Sequence, residues 1–391
     1  MAEAGSGRWH GGRRVRTAAV HHRLSGRRRV SRRRPPLRRL ADVLAPDGPP
    51  AGLTEADLDA EVLDLAERQR VLPAVRSALS GAGVAVTGAR LRTAHLRNTA
   101  RTMALVDQAS ELLAAFDAAG VRAVPLKGMD AVLGELYPDW GARTMADLDV
   151  LVEEAAGPEA IALLAGLGYE PVGEELVGHH HLTPMRAPGR MGDVEVHVGL
   201  QDHRNVHFLD PQGFMDRASR VEGRPGLCLD RTDAAAHLVD HAQHTAGRRR
   251  LELDLRALHE TALVIRRVPE VDWAEVRDRF DRAGQVRRVD AHLAAVAELF
   301  GVEAPVAPAR SGTWIARREL FVEDHPLVGL VDRPGRRFAK LRRARLERYY
   351  RTTLTPTGVW RARARYLGEV AAHQWRHVTR RRRPGSADPP P

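Results

Sequence analysis

Cysteine is almost missing from this chain: its 391 residues contain one, Cys228. A lone cysteine makes no internal disulfide and no thiolate cage, which excludes disulfide-rich secreted scaffolds and cysteine zinc folds. Long apolar runs are missing too, since none approaches the ~18 residues that span a bilayer, and no secretory h-region follows the basic N-terminus. No internal repeat is visible. These absences predict a protein of the reducing cytoplasm with no membrane span. What is present is ample core material, 43% hydrophobic residues, in a length that suits roughly two or three compact units.

The net charge of +11 suggests a nucleic-acid binder until it is divided along the chain. Residues 1–40 hold 13 arginines and one acidic residue, residues 376–391 hold five arginines and one aspartate, and the stretch between them nets −5. The basicity lies in the tails. Runs such as Arg27-Arg28-Arg29 and Arg32-Arg33-Arg34 repel themselves and have few apolar neighbours. A disordered Arg-rich arm is therefore expected over 1–52 and a disordered basic tail over 376–391. Such arms can bind nucleic acid or anionic lipid by counterion release, although plain solvation is the commoner outcome.

Helical periodicity begins after the Pro/Gly-rich stretch Ala45 to Gly52. Thr54 and Asp57 form an N-cap-like start, with Leu58, Val62, Leu65 and Ala66 following at helical spacing. A clearer helix is expected from Leu91 to Ala119, closed by Gly120. The texture then changes. Val121 to Leu126, Ala146 to Val152 and Asp193 to Val198 read as strands, and Met129 to Tyr137 and Glu159 to Leu167 as helices. From Thr232 the pattern is helical again, over Ala236 to His244, Leu251 to Val264, Trp273 to Ala283 and Arg287 to Phe300. The expected units are a helical region at 53–120, an α/β core at 121–230, a helical region over the cleft at 231–305 and an Arg-rich helical extension at 306–375.

In a strand, residues i and i+2 share a face, so Asp147 and Asp149 project together while Leu148 and Val150 turn away. Two adjacent carboxylates ionise together cheaply only around a cation. The pair calls for a divalent metal, Mg²⁺ or Mn²⁺. Phosphoryl and nucleotidyl transfer use such sites, with two ions about 3.5–4 Å apart serving the attacking and the leaving oxygen. A third carboxylate must complete the nucleophile-side ion and take the acceptor's proton. Asp193, Glu195 and His197 share one face of the third strand; Glu195, flanked by valines, is the first candidate and Asp193 the reserve. Lys127-Gly128, between a strand and a helix, offers backbone N–H groups and a lysine charge to the pyrophosphate. Arg143 would close on the triphosphate from the other side. An isolated Asp-x-Asp is more often a solvated strand edge, but Leu151-Val152 continues this strand as apolar on both faces, as in a buried sheet.

Val124-Pro-Leu-Lys-Gly128, Leu136-Tyr-Pro138, Arg143 and Met145-Ala-Asp-Leu-Asp-Val-Leu-Val152 together resemble the uncharacterised nucleotidyltransferase family of the DNA polymerase beta-like superfamily. Its hallmarks are a Leu-Lys-Gly turn and an Arg followed by Asp-x-Asp. The resemblance extends upstream to Leu65-Ala66, Pro73 and Asn98, and downstream to Val194-Glu-Val-His197, His241, Asp254 and the Trp273 helix. It covers about residues 55 to 305. It implies an α+β fold, a minimal nucleotidyltransferase mixed sheet flanked by helical N- and C-terminal regions. It also implies that Asp147 and Asp149 are ligands of both metal ions, and Glu195 a ligand of the nucleophile-side ion and the base. Met129 stands where the superfamily usually has Ser to hold a phosphate, a role left to Lys127.

The histidines His179-His180-His181, His197 and the i, i+4 pair His237 and His241 invite a zinc site. Without His-Glu-x-x-His or a cysteine cluster, plainer roles are expected. His197 and His241 become inward-facing polar residues, the triple run a solvated loop, and Asp254 a cap or ion-pair partner. The expected reaction is attack by an acceptor hydroxyl, phosphate or amine on the α-phosphate of an NTP such as ATP, releasing pyrophosphate. The helical regions carry no motif that selects between a small molecule and a protein as acceptor. The alternative is a non-catalytic nucleic-acid or polyanion binder that uses its Arg arms on a degenerate transferase fold.

Overall fold

The computed structural model describes residues 34–173, 179–201, 208–224, 226–248 and 253–324, with Trp360, Arg361 and Arg365 beyond them. The first 33 residues, most of the expected 306–375 extension and the 376–391 tail lie outside the described residues, as does any phosphate binding by the arginine runs there. The arm expected to reach residue 52 stops sooner, because helix α1 (Pro36–Val43) starts on a proline whose missing N–H has no intrahelical acceptor to lose. Leu37, Leu40, Ala41, Val43 and Leu44 are buried in it. Arginines interleaved with these residues hid the pattern. One of them, Arg39, is itself buried and donates to Asp59 Oδ2 and to the Asp57 carbonyl, both at 2.7 Å.

Thr54 and Asp57 close a capping box on a single 3₁₀ turn, Glu55–Asp57. The helix proper, α2 (Ala60–Arg68), starts on Asp59, which accepts from Val62 N–H at 3.2 Å. Then come α3 (Leu72–Gly81) and the 30-residue α4 (Ala89–Ala118). Gly120 ends α4 in the left-handed region at φ +78°. Val121 N–H there reaches back to the Phe116 carbonyl at 2.8 Å, a Schellman closure.

The sheet contains β1 (Ala123–Pro125), β2 (Asp147–Val152), β3 (Glu170–Pro171), β4 (Met185–Arg186) and β5 (Asp193–His197), in the order β1-β2-β5-β4-β3. Among the described strands only β2 and β5 run parallel; the other neighbours are antiparallel. Helix α5 (Lys127–Leu133) links β1 to the β2 approach and α6 (Gly157–Gly166) follows β2. The fold is α+β. Leu148, Val150, Val152, Val194 and Val196 pack on one side of the sheet against Leu105, Leu112 and Phe116 of α4 and Leu164 of α6. On the other side lie α7 (Pro211–Arg217), α8 (Arg231–Arg248) and α10 (Trp273–Arg282), whose Phe214, Val239 and Phe280 share a core with Leu126 and Leu151. Helices α9 (Leu255–Arg267), α11 (Val286–Phe300) and α12 (Arg310–Asp324) turn back on the N-terminal helices, so that Leu40 and Leu79 share a core with Leu258, Phe300 and Leu320. No described helix is long and apolar enough to cross a membrane.

Candidate active site

Polar residues of α4 tether the segments that feed the two parallel strands. Asn98 Nδ2 donates to the carbonyls of Gly141 and Arg143 at 2.8 and 2.9 Å, and Arg101 Nε donates to the Met145 carbonyl at 3.0 Å. Gln108 both donates to the Gly192 carbonyl at 2.8 Å and accepts from its N–H at 3.2 Å. With the chain anchored just before each strand, β2 and β5 pair so that Asp147 faces Asp193, Asp149 faces Glu195 and Leu151 faces His197. A one-residue slip would turn every one of these side chains to the other face.

Asp149, Glu195 and His197 bring a carboxylate oxygen or ring nitrogen within 4.8 Å of one another. Asp147 stands on the same face at the exposed end of β2. His197 Nε2 lies 2.7 Å from Asp149 Oδ1 and 3.8 Å from Glu195 Oε2, and Lys127 Nζ donates to the same Asp149 oxygen. Burial works against an ionised Asp149, but Lys127 and His197 outweigh it and hold the carboxyl well below the usual range. Glu195 goes the other way, pushed up to about 7 by burial and by Asp149. Lys127 is half-buried, which by itself would lower its pKa, yet Asp149, Glu195 and Asp147 keep it above the ordinary lysine value. Three carboxylates thus meet one bonded ammonium, and their oxygens are the donor set that hard divalent cations take. Asp193 is engaged elsewhere: Arg186 grips both its oxygens, at 2.6 and 2.7 Å.

Lys127 begins α5 with φ +53°, a left-handed conformation that costs a non-glycine residue energy and recurs at functional sites. The next position favours glycine for want of space. A Cβ at Gly128 would lie 2.6 Å from Met145 Cγ and 3.1 Å from Arg143 Nη1. Met129 is buried in the core behind the sheet, so the residue standing at the usual serine position packs there. Arg143 is buried, with Nε and Nη2 on the Glu260 carboxylate and Nη1 on the Thr144 carbonyl. Lys127, Asp130, Arg143, Arg231, His241 and Glu260 border a cavity of about 60 Å³ that is also lined by apolar residues such as Leu238 of α8 and Val264 of α9. A larger cavity of about 290 Å³ opens near β1, but its arginines are spent, Arg122 on Glu153 and Arg220 on Asp117.

A family model described as uncharacterised nucleotidyltransferase matches residues 56–301. The chain belongs to this family. No curated protein sequence matches the chain. Among solved structures it is similar to the solution structure of the antibiotic-resistance factor ANT(2'')-Ia, with 16% identity over 46% of this chain and 94% of that one and a TM-score of 0.31.

As a member of the uncharacterised nucleotidyltransferase family, the protein is a transferase. Several residues around its site were not singled out by sequence reasoning. Glu260, the partner of Arg143, is one; a carboxylate inside the stretch 257–263 of α9, buried on all sides, was the available signal. Asp254 proves to be the N-cap of α9, accepting from Ala257 N–H at 3.2 Å. His237 is buried, and burial followed by the charge of Lys127 pushes it down to about 3. The triple histidine run, expected in solvent, is half-buried and packs on His197, with the rings of His180 and His181 centred 5.3 and 5.5 Å from it. Burial and then the neighbouring rings push His180 down to about 2.

Proposed function

We propose that this protein moves an NMP from an NTP, ATP among them, onto an acceptor hydroxyl, phosphate or amine in a Mg²⁺- or Mn²⁺-dependent reaction that releases pyrophosphate. The observation that supports this reading is the parallel register of β2 on β5, in which Asp149 stands opposite Glu195 on the face that carries Asp147. Asp147, Asp149 and Glu195 would hold the metal. Bound there, it supplies a Lewis acid at the α-phosphate and neutralises the leaving group. Glu195, which stands opposite Asp149 beside the acceptor's side of the site, takes the acceptor's proton. Lys127 exchanges its bond to Asp149 for the phosphates, which it orients as a point charge. Gly128 lets the chain pass close under Arg143, and Arg143, held by Glu260 and the Thr144 carbonyl, would have to give up part of those bonds to orient the triphosphate.

The test is label transfer. Wild type, Asp149→Ala and a chain lacking residues 1–33 are incubated with each α-labelled NTP, Mg²⁺ or Mn²⁺, and cell extract. Wild type and the truncated chain transfer label, and Asp149→Ala loses about 10³-fold or more. The truncation stops short of Pro36 because α1 belongs to the core. Loss of activity with the basic residues 1–33, rather than with Asp149, would point to a polyanion binder instead.

A further inference from the structure

The run His179-His180-His181 lies where the chain returns to the edge of β5. His181 bridges to His197, Leu182 N–H donates to the Val196 carbonyl at 2.8 Å, and Val198 N–H donates to the His180 carbonyl at 3.0 Å. Consecutive residues of a straight strand point to alternate faces. A bend at His180 instead gathers all three rings, with centroids 4.1 to 4.9 Å apart. A ring nitrogen of each lies within 4.8 Å of those of the other two.

Proton placement makes these rings suitable ligands. His181 Nδ1 lies 2.9 Å from the Leu182 carbonyl. A carbonyl only accepts, so Nδ1 carries the proton and Nε2 keeps its lone pair, the arrangement by which an outer hydrogen bond orients a metal-ligating histidine. His180 Nδ1 is buried without a hydrogen-bond partner among the described residues, a state that native proteins tend to resolve with water or an ion.

We propose that His179, His180 and His181 bind one divalent cation of the zinc class, separate from the oxygen-lined position at Asp147, Asp149 and Glu195. Imidazole nitrogen favours Zn²⁺ and its transition-metal neighbours over Mg²⁺. A tetrahedral ion with bonds of about 2.0–2.1 Å holds its ligand nitrogens about 3.3 Å apart, so the three rings need to close by roughly an ångström or more through side-chain rotation. Three protein nitrogens leave one position for water or for a donor atom of a substrate. The ion would tie residues 179–182 to the end of β5, next to the histidine that braces Asp149.

The experiment uses the untagged full chain, stripped with a chelator and titrated with Zn²⁺ by calorimetry, with elemental analysis for stoichiometry and Co²⁺ absorption as the probe of nitrogen coordination. Wild type and Asp149→Asn are expected to bind one Zn²⁺ that excess Mg²⁺ does not displace. The double variant His179→Gln, His181→Gln is expected to bind it about 100-fold more weakly or not at all. Circular dichroism checks its fold; if it fails to fold, His181→Gln alone is measured against the same expectation. Absence of stoichiometric Zn²⁺ uptake by wild type overturns the proposal, as does binding that the histidine substitutions leave unchanged. Zn²⁺ lost in Asp149→Asn but kept in the histidine variants assigns the ion to the carboxylates and overturns it equally.

Discussion

Asp193 and Glu195 lie two residues apart on one strand face, and their neighbours separate them. Arg186 holds both oxygens of Asp193, whereas Glu195 looks across to Asp149. If Glu195 is the base, Glu195→Gln lowers kcat about 10²–10⁴-fold, and Asp193→Asn stays within about threefold. Steady-state pyrophosphate release with an identified acceptor checks both, and equal losses would sink the assignment. The buried pair Arg143–Glu260 makes a different prediction, in stability. Glu260→Ala leaves a buried guanidinium uncompensated and costs about 3–5 kcal/mol, while replacing both partners, as Arg143→Met with Glu260→Leu, recovers most of the loss. Urea unfolding of the two variants decides this, and a double variant no more stable than Glu260→Ala would refute it.

Among the elements, α4 acts as a jig for the strands rather than as a source of reactive groups. Asn98 satisfies two carbonyls on the approach to β2. Asn98→Ala strands both acceptors and is expected to cost about 1–3 kcal/mol, with a loss of label transfer as Asp147 and Asp149 become less well aimed. The turn into α5 is limited by space instead. Gly128→Ala drives a methyl against Met145 Cγ, an overpacking of about 1–3 kcal/mol, and Met145→Ala in the same chain should relieve it. A thermal melt of the single and double variants reads the relief directly; no recovery would mean that the backbone, not Met145, sets the limit.

For the whole molecule, burial of histidine ties stability to pH. His259 sits between the rings of Tyr137 and Phe300, at 6.0 and 5.9 Å, and burial pushes it down to about 3. Its neutral form is therefore the folded one, and the unfolded chain binds its proton first, near pH 6.5. The stability that depends on a neutral His259 is complete above about 6.5 and is lost as the pH falls toward 3. The loss is about 1.4 kcal/mol per pH unit below 6.5. His237 and His292 follow the same sign, down to about 3 and about 4. Asp130 and Asp240, pushed up to about 6 by burial, oppose them, losing stability as the pH rises from about 4 to 6. The cleanest measurement is a difference: between pH 7.5 and 5.5, wild type should lose more unfolding free energy than His259→Phe, and parallel curves would exclude the effect.

Much of the site was legible because its rules are short-range. Period two put Asp147 with Asp149 and Glu195 with His197, and the pairing keeps those faces. Gly120 marked the end of α4 for the same local reason. Even the reading of Asp254 as a cap needed only three residues of chain. What no local pattern could supply was register and partnership. Whether Glu195 or Asp193 stands across from Asp149 depends on where β5 slides along β2, which Gln108 and Asn98 fix from a helix far back in the chain. Arg143 found Glu260 across 117 residues, and the helix behind the arginine arm was revealed only by the core it packs into. Which residues share a face is written into the chain itself, because backbone geometry sets it within a few bonds. The tertiary structure alone decided which faces meet, because burial and ion pairing belong to both partners at once.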